Sequence, residues 1–80
     1  NYPNPFNPAT NIKFAIPKLA NVRLAVYDLL GREVESLVNQ QLTPGTYEVN
    51  WNAAKFSSGI YMYRLVSNDF QLVKKMSLIK

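Results

Sequence analysis

Eighty residues leave room for one compact unit with one core, and a chain this short buries only about 60 to 65% of its unfolded surface. It contains neither cysteine nor histidine, which excludes disulfides, the usual zinc clusters and the Ser-His-Asp and Cys-His nucleophile arrangements. Nine Lys/Arg against five Asp/Glu give a net charge of +4, but the cations are scattered and only Lys74 and Lys75 adjoin, so no stripe for tracking nucleic acid is expected.

The opening Asn1-Tyr2-Pro3-Asn4-Pro5-Phe6-Asn7-Pro8 carries three prolines that fix φ and remove backbone donors, so it reads as an extended or polyproline-II lead-in. Tyr2 and Phe6 are placed to pin it to the folded part. Residues 1–10 form this proline-rich segment, and 11–80 form the folded domain.

From Asn11 the pattern alternates, with Ile12, Phe14 and Ile16 on one side, Lys13 and Ala15 on the other, and Pro17 closing the first strand. Val22, Leu24 and Val26 alternate with Arg23, Ala25 and Tyr27 in a second strand. Asp28-Leu29-Leu30-Gly31 then supplies a turn, with an acceptor first and a positive-φ glycine last. The return strand over 32–38 is irregular, because Val34 and Leu37 have opposite parity, which a bulge or an edge position explains. Residues 39–42 read as a polar connection, followed by a turn at Thr43-Pro44-Gly45.

Tyr47, Val49 and Trp51 alternate with Thr46, Glu48 and Asn50 in the clearest strand of the chain. A loop over 52–59 precedes a run of β-formers, Ile60 to Val66, in which Arg64 favours solvent and Tyr61, Tyr63 and Leu65 face inward. After a turn at Ser67-Asn68-Asp69, Phe70, Leu72, Met76 and Leu78 share one parity along the closing strand, interrupted by Lys74. Gly31, Gly45 and Gly59 lie fourteen residues apart, but the segments between them share no sequence, so the spacing is hairpin rhythm rather than a repeat. Together these elements predict an all-β fold, a small immunoglobulin-like antiparallel β-sandwich of six to seven strands, with a small barrel as the alternative.

Little chemistry is offered by such a chain. Asp28, Glu33, Glu35, Glu48 and Asp69 fall at turns or outward strand positions, as solvated carboxylates do, and no glycine-rich loop for phosphate is present. No catalytic, cofactor-binding or metal-binding residue is expected, and no cofactor. Tyr27, Trp51, Tyr61 and Tyr63 raise the possibility of a polysaccharide-binding platform, with Tyr27 its best exposed member, although aromatic side chains in so small a core are expected as packing. Trp51 reads as the central core plug. The Lys74-Lys75-Met76-Ser77-Leu78-Ile79-Lys80 finish taken alone reads as a last strand whose lysines guard an edge.

Taken together, the opening octet with Asn1, Pro3, Asn4, Pro5, Phe6, Asn7 and Pro8, the YDLLGREV stretch with Asp28 and Gly31, Trp51, the SGIY stretch with Gly59 and Tyr61, and the Lys74, Leu78, Lys80 finish form a collinear set. This set resembles the type A C-terminal sorting domain of type IX secretion (Por secretion system) cargo. One departure is Asn52 directly after the tryptophan, where the family often has aspartate; turn-forming ability is kept and a charge is lost.

The resemblance implies a non-catalytic signal at the end of an exported protein, reaching the medium or cell surface through the periplasm and the outer membrane. The partners implied are an N-terminal passenger in the same precursor, the type IX translocon, and a surface sortase-like cysteine peptidase that cuts near the start of the domain and can join the passenger to lipopolysaccharide. The recognition element expected from this reading is the last strand, Lys74, Lys75, Met76, Leu78, Ile79 and Lys80. Nucleic acid is not an expected partner, and no apolar run approaches the roughly 20 residues that span a bilayer. The opening on Asn1 rather than methionine suggests a piece of a larger polypeptide. Two other readings are a polysaccharide-binding or cell-attachment module of a secreted hydrolase, and a purely structural immunoglobulin-like spacer.

Overall fold

The computed structural model describes residues 9–68 and 70–78, with the backbone alone at Ala9. Among the described residues six strands make two antiparallel sheets: β1 (Ala9–Ile16) with β4 (Gly45–Asn52), and a four-stranded sheet in the order β3 (Glu33–Leu42), β2 (Ala20–Tyr27), β5 (Gly59–Val66), β6 (Gln71–Leu78). This is the expected sandwich at the lower of the two strand counts. The opening octet lies outside the described residues.

The alternation in β1 and β2 translates directly into packing. Ile12, Phe14 and Ile16 from β1 meet Ala20, Val22 and Leu24 from β2 and Leu65 from β5 in one buried cluster. A second cluster holds Val26, Trp51, Ala53, Tyr61 and Leu78, and Leu37, Tyr63 and Met76 pack against both. Phe14 stacks on Tyr47 with ring centroids 5.6 Å apart, across the β1–β4 pair that sets them opposite each other.

The parity conflict in β3 has a structural answer. Leu24 pairs with Val38 and Ala25 with Ser36, skipping Leu37; Val26 pairs with Glu35 and Tyr27 with Glu33, skipping Val34. Each skipped residue is the extra member of a β-bulge, and each is a half-buried apolar side chain packed against the core. The strand also runs longer than its hydrophobic pattern: residues 39–42, read above as a connection, continue the pairing with β2 from Arg23↔Asn39 to Ala20↔Leu42. Backbone pairing with a buried neighbour, rather than side-chain composition, makes that stretch a strand.

Two corners of the sandwich are built alike. In Thr43-Pro44-Gly45-Thr46-Tyr47 the Tyr47 hydroxyl donates to the Thr43 carbonyl at 2.6 Å, and in Ser57-Ser58-Gly59-Ile60-Tyr61 the Tyr61 hydroxyl donates to the Ser57 carbonyl at 2.7 Å. The glycine two residues before each tyrosine has nearly the same backbone, φ 153° at Gly45 and 154° at Gly59, which a side chain would strain. Each corner closes one cluster, because Tyr47 packs on the first and Tyr61 belongs to the second. The glycine spacing therefore marks a shared hydroxyl-x-Gly-x-Tyr device at two of its three positions, although the segments between are unrelated.

Candidate functional site

The residues expected to form the recognition element divide between surface and core. Lys74 and Lys75 are exposed and project from opposite faces of β6, since Lys74 lies opposite Tyr63 on the core side and Lys75 opposite Met62 on the outer side. Met76 is half-buried against both clusters, and Leu78 is only 8% exposed in the cluster around Trp51. Ile79 and Lys80 lie outside the described residues.

Among the described residues β6 forms one edge of the four-stranded sheet, paired only with β5 through eight residues in continuous register. Its alternating apolar parity predicts a buried face, but on that face only Leu78 is buried; Leu72 is 39% exposed, with Phe70 just before the strand at 37%, while Val73, 51% exposed, lies on the outer face opposite Arg64. The two-stranded sheet is too narrow to cover both flanks of a four-stranded one, and that placement is not written in the alternation. The opposite edge, β3, is interrupted by its two bulges, a common device for blunting an edge.

Asp28 and Gly31 hold the β2–β3 turn. The Asp28 carboxylate accepts from the backbone N–H of Leu30 at 2.9 Å, the backbone N–H of Arg32 at 3.0 Å and Nε of Arg32 at 2.9 Å, and Gly31 takes φ 82°. The Arg32 backbone N–H, more than its guanidinium, holds the Asp28 carboxyl below the usual carboxylate range, against a smaller opposing effect of partial desolvation. The turn thereby presents Leu29 and Leu30, 67% and 77% exposed, on a braced tip. Nearby, the Arg23 guanidinium donates to Glu33 and, at 3.4 Å, to the Tyr27 hydroxyl.

Trp51, Gly59 and Tyr61 are brought together as scaffold. Trp51 is 1% exposed and meets Tyr61 edge-on at 5.5 Å and Phe56 at 5.6 Å, as expected for a core plug. Asn52 keeps its turn role, its side-chain oxygen accepting from the Ala54 backbone N–H at 3.0 Å. One carboxylate departs from expectation: Glu35 is half-buried and faces inward, where it accepts from the indole Nε1 of Trp51 at 3.2 Å. The bulge on either side of it turns it toward the core, which a simple period of two does not foresee.

The aromatic residues do not form a common platform. Trp51 and Tyr61 are buried, Tyr63 is half-buried on the core side, and Tyr27 alone of the four lies on the outer face, at the rim of a shallow groove. Among the described residues there is no group of three or more acidic side chains placed to hold a metal ion, and no helix long and apolar enough to cross a membrane.

No curated protein and no solved structure matches the chain. A family model does: that of the secretion system C-terminal sorting domain, over residues 1–80. With the all-β sandwich, the braced turn at Asp28 and Gly31 and the Trp51–Tyr61 cluster in place, the chain belongs to the C-terminal sorting domains of type IX secretion, which mark proteins for export across the outer membrane.

Proposed function

We propose that this domain acts as a non-catalytic label whose edge strand β6 is read by the type IX secretion machinery through backbone pairing and the charge of Lys74 and Lys75. The observation that carries this reading is the contrast between the two edges of the larger sheet: β3 is broken by bulges, whereas β6 is regular over eight residues and exposes both lysines. A regular exposed edge offers main-chain donors and acceptors for strand addition, and flanking cations select the partner. A passenger precedes the label in the same precursor. A surface sortase-like peptidase cuts near the start of the domain, supplying the cysteine this chain lacks, and joins the released passenger to anionic lipopolysaccharide.

The test is export of a reporter fused ahead of residues 1–80 in a host with a working translocon, comparing the parent with the Lys74→Glu/Lys75→Glu double variant. Truncation of residues 76–80 would be ambiguous, because it removes buried Leu78 together with any signal. Retention of the double variant in the periplasm, with unchanged melting, supports the reading. Export at the parent level overturns it. Mass spectrometry of the exported reporter tests cleavage and linkage, with loss of the domain and gain of a glycolipid mass expected.

A further inference from the structure

On the side of the large sheet that faces away from the core, Tyr27, Gly31, Met62, Arg64 and Val73 line a groove of roughly 210 Å³. The register places it well: Tyr27 pairs with Met62, Met62 with Lys75 and Arg64 with Val73, so the groove spans β2, β5 and β6 and reaches the edge strand at Val73. Gly31 brings the base of the Leu29–Leu30 turn to its other end. Its volume falls below the roughly 300 Å³ at which small-molecule pockets begin, so it suits a single large side chain rather than a metabolite. Met62 and Val73 give it an apolar floor, and Arg64, oriented by donation to Gln71 Oε1 at 3.1 Å, gives it a cationic rim. Lys75 stands two residues beyond Val73 on the same face.

A strand added at the β6 edge would lie about 4.8 Å from it, and its outward side chains would stand beside Val73 and Lys75, with long ones reaching diagonal neighbours at about 7–8 Å. Cations on an apolar surface select an anionic partner, and aromatic anchors seated in pockets dominate such contacts. We propose that the partner strand carries, two residues apart on one face, an aromatic side chain that lies across Val73 into this groove and a carboxylate that meets Lys75. This rests on the edge-strand reading above and adds the chemistry of what pairs there.

The test uses the same reporter fusion with Val73→Asp, with Met62→Ala as a second groove variant and Val73→Ile as the conservative control; Gln40→Glu places an added negative charge on the opposite edge strand. Export of Val73→Asp and Met62→Ala is expected to fall at least fivefold with melting unchanged, while Val73→Ile and Gln40→Glu match the parent. If both groove variants export normally while Lys74→Glu/Lys75→Glu does not, the groove proposal is overturned and the edge reading stands. If all three export normally, both fall. A photocrosslinker at position 73 supplies an independent measurement: a captured segment with an aromatic and an acidic residue two apart supports the proposal, and one lacking that pair overturns it.

Discussion

The indole N–H of Trp51, on β4, donates to the carboxylate of Glu35, on β3, and so ties the two sheets through a polar contact beside the second core cluster. Trp51 is almost wholly buried, so removing its acceptor leaves a donor that water reaches poorly. Glu35→Ala is expected to cost about 1–3 kcal/mol, and Glu35→Gln, which keeps an oxygen acceptor, clearly less. Trp51 is the chain's single tryptophan, and its fluorescence in urea titrations reads both values.

The two tyrosine corners differ in burial, so their hydroxyls differ in value. Tyr61→Phe is expected to lose about 1 kcal/mol because the Ser57 carbonyl is partly shielded, whereas Tyr47→Phe, at an exposed corner, should lose less. Gly59→Ala adds a methyl group that meets no atom within 4 Å, so its expected cost of about 1–3 kcal/mol comes from the backbone alone. Equal melting curves for Gly59→Ala and the parent would remove the conformational argument at this corner.

Asp28 makes stability depend on acid. Its carboxyl titrates below its unfolded value, near 3.9, so its contribution is present in full above that range and is lost as pH falls through the lower, folded value. The difference in unfolding free energy between the parent and Asp28→Asn should therefore be largest near neutrality and shrink toward pH 2–3. A difference that stays constant from pH 7 to 3 would contradict a charge-based brace.

Leu78 and the two lysines occupy one strand but should fail in different ways. Leu78→Ala opens a gap beside Trp51 and is expected to cost about 2–5 kcal/mol, a large share of the total for a domain of this size. Lys74→Glu/Lys75→Glu, at exposed positions, should shift stability by less than about 0.5 kcal/mol. Thermal melts run alongside the export measurements separate loss of fold from loss of recognition.

The readable parts of the fold were those whose side chains alternate because one face is buried: Ile12 to Ile16, Val22 to Val26 and Tyr47 to Trp51 carry their strand and their orientation openly. The Asp28–Gly31 turn was equally plain, since an acceptor and a positive-φ position are residue-specific demands. What the pattern concealed depends on neighbours. Residues 39–42 are polar yet paired, Glu35 is turned inward by bulges, and Leu72 has core-like chemistry on the inner face of β6 at an end the second sheet does not cover. At the proposed site, Lys74 and Lys75 stood out as the only adjacent cations, but the groove beside them assembles from three strands and no local motif announces it.

The unequal edges of the large sheet also govern how copies of this domain behave at high concentration. Growth of a continuous ribbon from molecule to molecule needs two smooth margins, and one of the two here is kinked twice. Two β6 margins meeting antiparallel about their centres would set Lys74 of one copy beside Lys74 of the other on one face and bring the two Lys75 side chains near each other on the opposite face, and like charges so placed repel. On the proposed reading the β6 edge stays open to a foreign strand, while the domain is a poor template for itself.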